Sequence, residues 1–171
     1  TLVVHENTIY VGGEFRTLGG RDGGSDGVGY AGAVDARTGL ATPWNPRPNG
    51  GVVALAASGN AIYVGGWFNS LRDWVPRSGL AALDVTTGAA TPWDPGCDGL
   101  VRSLAASGST VYVAGQFSTV GGKARANLAA LDATDGTARD WSPNPNGPLW
   151  TVVVSGSTVY AGGWFGRIAG Q

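Results

Sequence analysis

Ala61-Ile62-Tyr63-Val64-Gly65-Gly66-Trp67-Phe68 is a run of strand-forming residues that ends on a glycine pair and two aromatics. β-Branched and aromatic side chains suit the pleated surface of a strand, and a glycine pair marks its end or a close backbone approach. The block recurs as Tyr-Val-Gly-Gly-Glu-Phe from Tyr10, Tyr-Val-Ala-Gly-Gln-Phe from Tyr112 and Tyr-Ala-Gly-Gly-Trp-Phe from Tyr160. Its tyrosines stand 53, 49 and 48 residues apart. A period of that size means one supersecondary unit repeated along the chain.

Residues 50–97 supply the pattern of the unit. Residues 52–57 form an apolar run of strand length, and Ser58-Gly59-Asn60 turns the chain back into residues 61–68 as an antiparallel hairpin. A polar loop with Arg72, Asp73 and Pro76 leads to a third strand at 80–84, broken at Thr87-Gly88. Residues 89–93 read as a fourth strand, stopped by Pro95 and Gly96. The following unit aligns at 101–106, 110–117, 128–132 and 137–141, and the first unit fits with four extra residues between positions 19 and 30. No stretch sustains a 3.6-residue apolar period.

This arithmetic predicts an all-β fold: a β-propeller of four-stranded antiparallel blades, each about 48 residues long. The blades span 1–49, 50–97 and 98–146, with a half-blade at 147–171. Three and a half blades imply a larger ring, of roughly six to eight. The last hairpin would leave an unpaired strand edge, which natural sheets avoid. Methionine is absent and the first residue is Thr1, so the sequence reads as a piece of a longer protein. The remaining blades are expected from that same chain in preference to another molecule.

Charged residues make up 13% of the chain and the net charge is -1. The ten arginines and the single Lys123 are scattered, so nucleic acid, which needs concentrated positive charge, is not an expected partner. No apolar run approaches the length of a membrane span.

The combined pattern is Val-Tyr-Val-Gly-Gly-x-Phe, a glycine-rich loop, Leu-Ala-Ala-Leu-Asp-x-x-Thr-Gly and Trp-x-Pro. It resembles the propeller repeats of large bacterial secreted and surface proteins, the delta-60-type repeats. Its second half, Ala82-Leu83-Asp84 with Thr87-Gly88 and Trp93, is similar to the tryptophan-docking motif of quinoprotein-like propellers, with Trp one residue farther from the Gly. The resemblance implies a secreted or cell-surface scaffold in which the repeats present or support other parts rather than carry catalysis.

Repetition separates architectural residues from candidates for chemistry. Tyr10, Tyr63, Tyr112 and Tyr160, and likewise Trp44, Trp93 and Trp141, recur at fixed places. Each of these tryptophans is expected to pack on the neighbouring blade, burying roughly 150–250 Å², worth about 4–6 kcal/mol before ordering costs. Asp35, Asp84 and Asp132 precede Thr-Gly or Asp-Gly turns and are read as turn caps. The slot between Gly and Phe instead varies, as Glu14, Trp67, Gln116 and Trp164. Trp67, Trp164 and the loop residue Trp74 are therefore the candidate ligand-binding residues, because loops on a rigid frame are where binding residues gather.

No catalytic residue is assigned and no cofactor is expected, apart from a candidate calcium loop at Asp22 and Asp26. His5 is the sole histidine, so neither a His-based metal cluster nor a Ser-His-Asp triad can be assembled from this segment. Cys97 is the only cysteine, and Arg77 and Arg125 share one slot that Val28 fills in the first unit. The leading expectation is a non-enzymatic binding or scaffold module with a glycan or protein ligand. The alternatives are part of a propeller-fold polysaccharide lyase or glycoside hydrolase, and a quinoprotein-like redox propeller.

Overall fold

A computed structural model of the chain describes residues 1–15, 17–18 and 29–171. Among these residues the fold is all-β, with antiparallel sheets of two or three strands. The first unit pairs β1 (Leu2–His5), β2 (Thr8–Gly12) and β3 (Ala31–Asp35) in that order. The second pairs β4 (Val52–Ser58), β5 (Ala61–Gly66) and β6 (Leu80–Asp84), with a single 3-10 turn at Arg72–Trp74 in its long loop. In the third, β7 (Leu100–Ser107) and β8 (Thr110–Gln116) precede a small hairpin, β9 (Thr119–Val120) and β10 (Lys123–Ala124), and β11 (Leu128–Asp132) closes the sheet. The last unit holds β12 (Leu149–Ser155) and β13 (Thr158–Gly163) alone. The small hairpin was not anticipated. Its turn is Gly121-Gly122, both at positive φ (60° and 75°), the conformation a two-residue hairpin turn demands.

The expected fourth strands are not formed as strands. Where they were placed, the chain makes one isolated bridge per unit: Val34 to Ala41, Leu83 to Ala90 and Leu131 to Ala138. Two backbone hydrogen bonds flank each bridge, as in Asp84 N–H to Ala89 O (2.8 Å) and Thr91 N–H to Ala82 O (2.9 Å). The ladder then stops. Pro43 and Pro92 have no N–H to donate, and the amides of Trp44 and Trp93 turn to their own threonines, Thr42 Oγ1 and Thr91 Oγ1 (3.3 Å each). Arg77 and Arg125 tie the outer segments down instead, donating to Thr91 O (2.6 Å) and Arg139 O (2.7 Å).

The first strand of every unit, β1, β4, β7 and β12, lies beside the first strand of the next. Together they border an apolar cleft of about 300 Å³ lined by Val3, Leu55, Leu104 and Val153 among others. The hydrophobic core sits between units rather than within them. One cluster joins Tyr10, Ala33 and Trp44 of the first unit to Val52, Ile62 and Leu83 of the second. Another joins Tyr63 and Trp93 to Val101, Val111 and Leu131 of the third. A repeat that buries its apolar surface only against its neighbour gains its stability from the interface.

The glycine pair follows from this packing. A Cβ on Gly65 would lie 2.5 Å from Val101 Cγ1, and one on Gly12 would lie 2.6 Å from Val52 Cγ1. The first glycine thus admits a valine of the following unit. In the second and third units the second glycine faces backbone: a Cβ on Gly66 or Gly115 would run into the carbonyl oxygen of Gly51 or Leu100. In the third unit the first glycine is Ala114, and the incoming residue is Leu149, whose branch point lies one carbon farther out; both are buried in one cluster.

Candidate functional site

A Tyr–Trp pair recurs in the first three units, and in the first two it latches onto the next unit. Tyr10 and Trp44 meet edge to face at a centroid distance of 5.0 Å, Tyr63 and Trp93 at 5.1 Å, and Tyr112 and Trp141 at 5.4 Å. Trp44 Nε1–H donates to Asp84 O (3.0 Å) and Trp93 Nε1–H to Asp132 O (2.8 Å). Tyr10 O–H reaches Val85 O (2.8 Å) and Tyr63 O–H reaches Ala133 O (3.4 Å). Both hooks therefore catch the end of the following unit's third strand. Burial pushes the Tyr10 and Tyr63 hydroxyls above the ordinary tyrosine range. They stay protonated and able to donate.

The three aspartates are spent locally. Asp84 Oδ1 accepts from Thr86 N–H (3.0 Å), Thr87 N–H (2.8 Å) and Thr87 Oγ1 (2.8 Å), and Asp35 does the same with Arg37 and Thr38. These backbone hydrogen bonds, led by Thr87 and Thr38, hold both carboxyls below the usual range. Asp132 caps Thr134 N–H (2.8 Å) and meets Arg139 (2.9 Å), which reaches across to Ser109 where the other units use Asn7 and Asn60. Among the described residues no three His, Cys, Asp or Glu side chains gather as a metal-binding group. The candidate calcium loop, Asp22 and Asp26, and the slot residue Val28 lie outside the described residues.

The variable slot is solvent-facing in all four units. Glu14 and Gln116 are exposed, Trp67 is 57% exposed and Trp164 is 77% exposed. The backbone beneath is fixed, with Trp67 N–H on Gly51 O and Trp164 N–H on Pro148 O, both at 2.9 Å. Neighbouring slots converge: a Cβ on Gly51 would lie 3.4 Å from Trp67 Cε3 and 3.7 Å from Glu14 Cγ. Trp74 is 85% exposed and sits in the 3-10 turn at positive φ (60°), a turn anchored by Arg72 N–H on Pro46 O (2.7 Å). Trp67, Trp74 and Trp164 form no ring–ring contact with one another; each is a separate exposed indole.

Two recurring features escaped the sequence reading. The first strand of a unit carries a β-bulge opposite the glycine pair, at Val53, Arg102 and Trp150. A bulge re-aims its side chain, and Trp150 is exposed next to the slot strand. The second is a loop lock: Asn49, Asp98 and Asn146 each accept two backbone N–H groups from the loop after the slot, at 2.9–3.1 Å. Burial would raise the Asp98 carboxyl, but hydrogen bonds from Ser118 and Thr119 outweigh it and bring it down to about 2. Cys97 moves the other way: burial pushes its thiol up to about 11, which leaves it protonated and a poor nucleophile.

No family model and no curated protein matches the chain. Solved structures do match. The crystal structure of the computationally designed Ika4 protein superimposes with a TM-score of 0.63 at 15% identity, covering 96% of this chain and 88% of that one. That of the computationally designed Ika8 protein gives a TM-score of 0.53 at 15% identity, over 94% of this chain and 54% of that one. At such identity the likeness concerns the fold alone.

Proposed function

We propose that this chain is a non-enzymatic binding scaffold: a run of β-propeller blades from a secreted or cell-surface bacterial protein, which takes a glycan on its exposed indoles. Three-stranded antiparallel sheets, arranged with their first strands side by side and an outer segment bridged to each, support the propeller reading. The delta-60-type resemblance supports the compartment.

One observation carries the functional reading. Within a block whose other positions build the junctions, the varying position faces solvent every time, and two of its four residues are tryptophan. An exposed indole offers a flat apolar face that matches the C–H face of a sugar ring, at low conformational cost because its backbone is already held. The repeated carboxylates of Asp35, Asp84 and Asp132 are each occupied in their own turns, so these three do not supply the converging acid–base pair of a hydrolase or lyase.

Glycan-array binding tests this. Binding should fall to background in Trp67→Ala/Trp74→Ala/Trp164→Ala while the denaturation midpoint stays unchanged. Undiminished binding by that variant, or bond cleavage in a polysaccharide by the purified chain, would overturn the reading.

A further inference from the structure

In the register of the sheets, the residue opposite the slot is Gly51 in the second unit, Leu100 in the third and Pro148 in the last. The slots of the units before them hold Glu14, Trp67 and Gln116. At the first of these three places a carboxylate and an indole share a floor, and that floor has no side chain. The next pairs Trp67 with Gln116 by Leu100, and the last pairs Gln116 with Trp164 by Pro148, so neither repeats the combination.

The fold does not require glycine at position 51. Its φ lies outside the left-handed region, and an added Cβ would meet nothing closer than 3.4 Å, an ordinary contact. Gly50 differs, because a Cβ there would strike Trp67 O at 2.4 Å. The bare Gly51 instead lets two side chains close on one point: its Cβ position lies 3.4 Å from Trp67 Cε3 and 3.8 Å from Glu14 Oε1. Both side chains face solvent. Among the described residues the Glu14 carboxylate accepts no hydrogen bond and joins no ion pair, whereas Asp35, Asp84 and Asp132 are taken up in turns. An unengaged carboxylate beside an open indole selects a cation: the ring face attracts an ammonium, and the carboxylate accepts its charge-assisted hydrogen bond.

We propose that Glu14, Gly51 and Trp67 form a subsite for the protonated amine of an amino sugar, so that the glycan taken by this face is one carrying unacetylated amino groups. The proposal rests on the glycan reading and narrows it. In such a sugar the ammonium stands on the ring carbon itself. One sugar residue therefore lays its C–H face on Trp67 and turns its ammonium to Glu14 Oε1. N-Acetylation removes the charge, and both the indole and the carboxylate lose what they select for. A lysine side chain carries the same charge on a flexible four-carbon stem that must be ordered, which makes a peptide the poorer occupant. A leucine at the floor, as at Leu100, would stand over the shared point and hold the two side chains apart.

The test titrates two hexasaccharides of one backbone, glucosamine and N-acetylglucosamine, into the full chain by calorimetry at about pH 6, below the range in which a primary amine gives up its proton. The free-amine oligomer should bind about tenfold tighter than the acetylated one, and the margin should narrow with added salt. Glu14→Gln should weaken free-amine binding about fivefold and leave acetylated binding unchanged. Gly51→Leu should narrow the preference likewise while the denaturation midpoint holds, since the position accepts a side chain. The proposal is overturned if the unmutated chain binds the acetylated oligomer as tightly as the free amine, if Glu14→Gln weakens both oligomers alike or neither, or if trilysine binds as tightly as the free-amine oligomer. Equal binding of the two oligomers that is lost in Trp67→Ala would sink this subsite and leave the glycan reading standing. A blank glycan array with no binding of either oligomer would remove both.

Discussion

The junction between the second and third units and the edge of the last unit are built from the same residues, yet they differ in almost every physical respect. Trp93 is sealed under the third unit with its N–H satisfied, whereas Trp141 holds the same edge-on stack against its tyrosine in partial contact with solvent. The first unit shows the converse at its outer side. Gly88 in the second unit packs against Trp44 and Asn45 of the first, but nothing lies within 4 Å of a Cβ placed on Gly39, its counterpart. Burial in this fold is therefore a property of the junction and not of the residue. An aromatic position contributes fully only when the third strand of the next unit is present.

Truncating the latch breaks that comparison most severely. Trp93→Ala should cost about 3–5 kcal/mol in urea denaturation, while Trp141→Ala should cost no more than about 1 kcal/mol. Equal losses would show that the exposed pair already carries junction energy. Next in size is the glycine pair of turns. Gly39 and Gly88 share a positive φ (72° and 73°), so alanine strains both by about 1 kcal/mol. Only Gly88→Ala also crowds Trp44, and should lose about 1–3 kcal/mol more. Tyr10→Phe removes the hydrogen bond to Val85 O and should cost about 1 kcal/mol, against a change within about 0.5 kcal/mol for the exposed Tyr160→Phe.

The smallest effect concerns pH. The Asp98 carboxyl is depressed to about 2 in the folded protein. Its contribution is thus present above the unfolded aspartate range and is lost as pH falls through about 2. Asp98→Asn copies the residue that stands at this place in the neighbouring units, Asn49 and Asn146. It should flatten the stability profile between pH 4 and 2, read from denaturation midpoints across that interval. An unchanged profile would place the acid sensitivity elsewhere.

Much of the frame was legible before the structure. Apolar runs and turn residues located β4, β6 and β11 to within a residue, and repetition marked Trp44 and Trp93 as packing residues. What stayed hidden was set by hydrogen-bond geometry across units. Nothing in the sequence around Trp44 says that its indole will meet the carbonyl of Asp84, since every residue has a carbonyl. The bulges at Val53, Arg102 and Trp150 depend on ladder register, which composition does not encode. The fourth strand failed for a similar reason: residues 89–93 have strand-like content, but Pro92 and the turned amide of Trp93 deny the ladder its donors. For the candidate face, variability at Glu14, Trp67, Gln116 and Trp164 correctly pointed to exposed positions, whereas Trp150 was missed because it sits inside a strand.

The latches also run in one direction along the polypeptide. Trp44 is secured by a carbonyl 40 residues downstream and Trp93 by one 39 residues downstream. On the ribosome, at about 5–20 residues per second, a unit's own strands emerge about 2–8 s before the residues that seal it. Until then the indole rests on its own tyrosine in partial contact with solvent, as Trp141 does on Tyr112. Synthesis from the N-terminus thus delivers each of these indoles before the carbonyl that secures it, so the direction of the latches and the order of synthesis coincide.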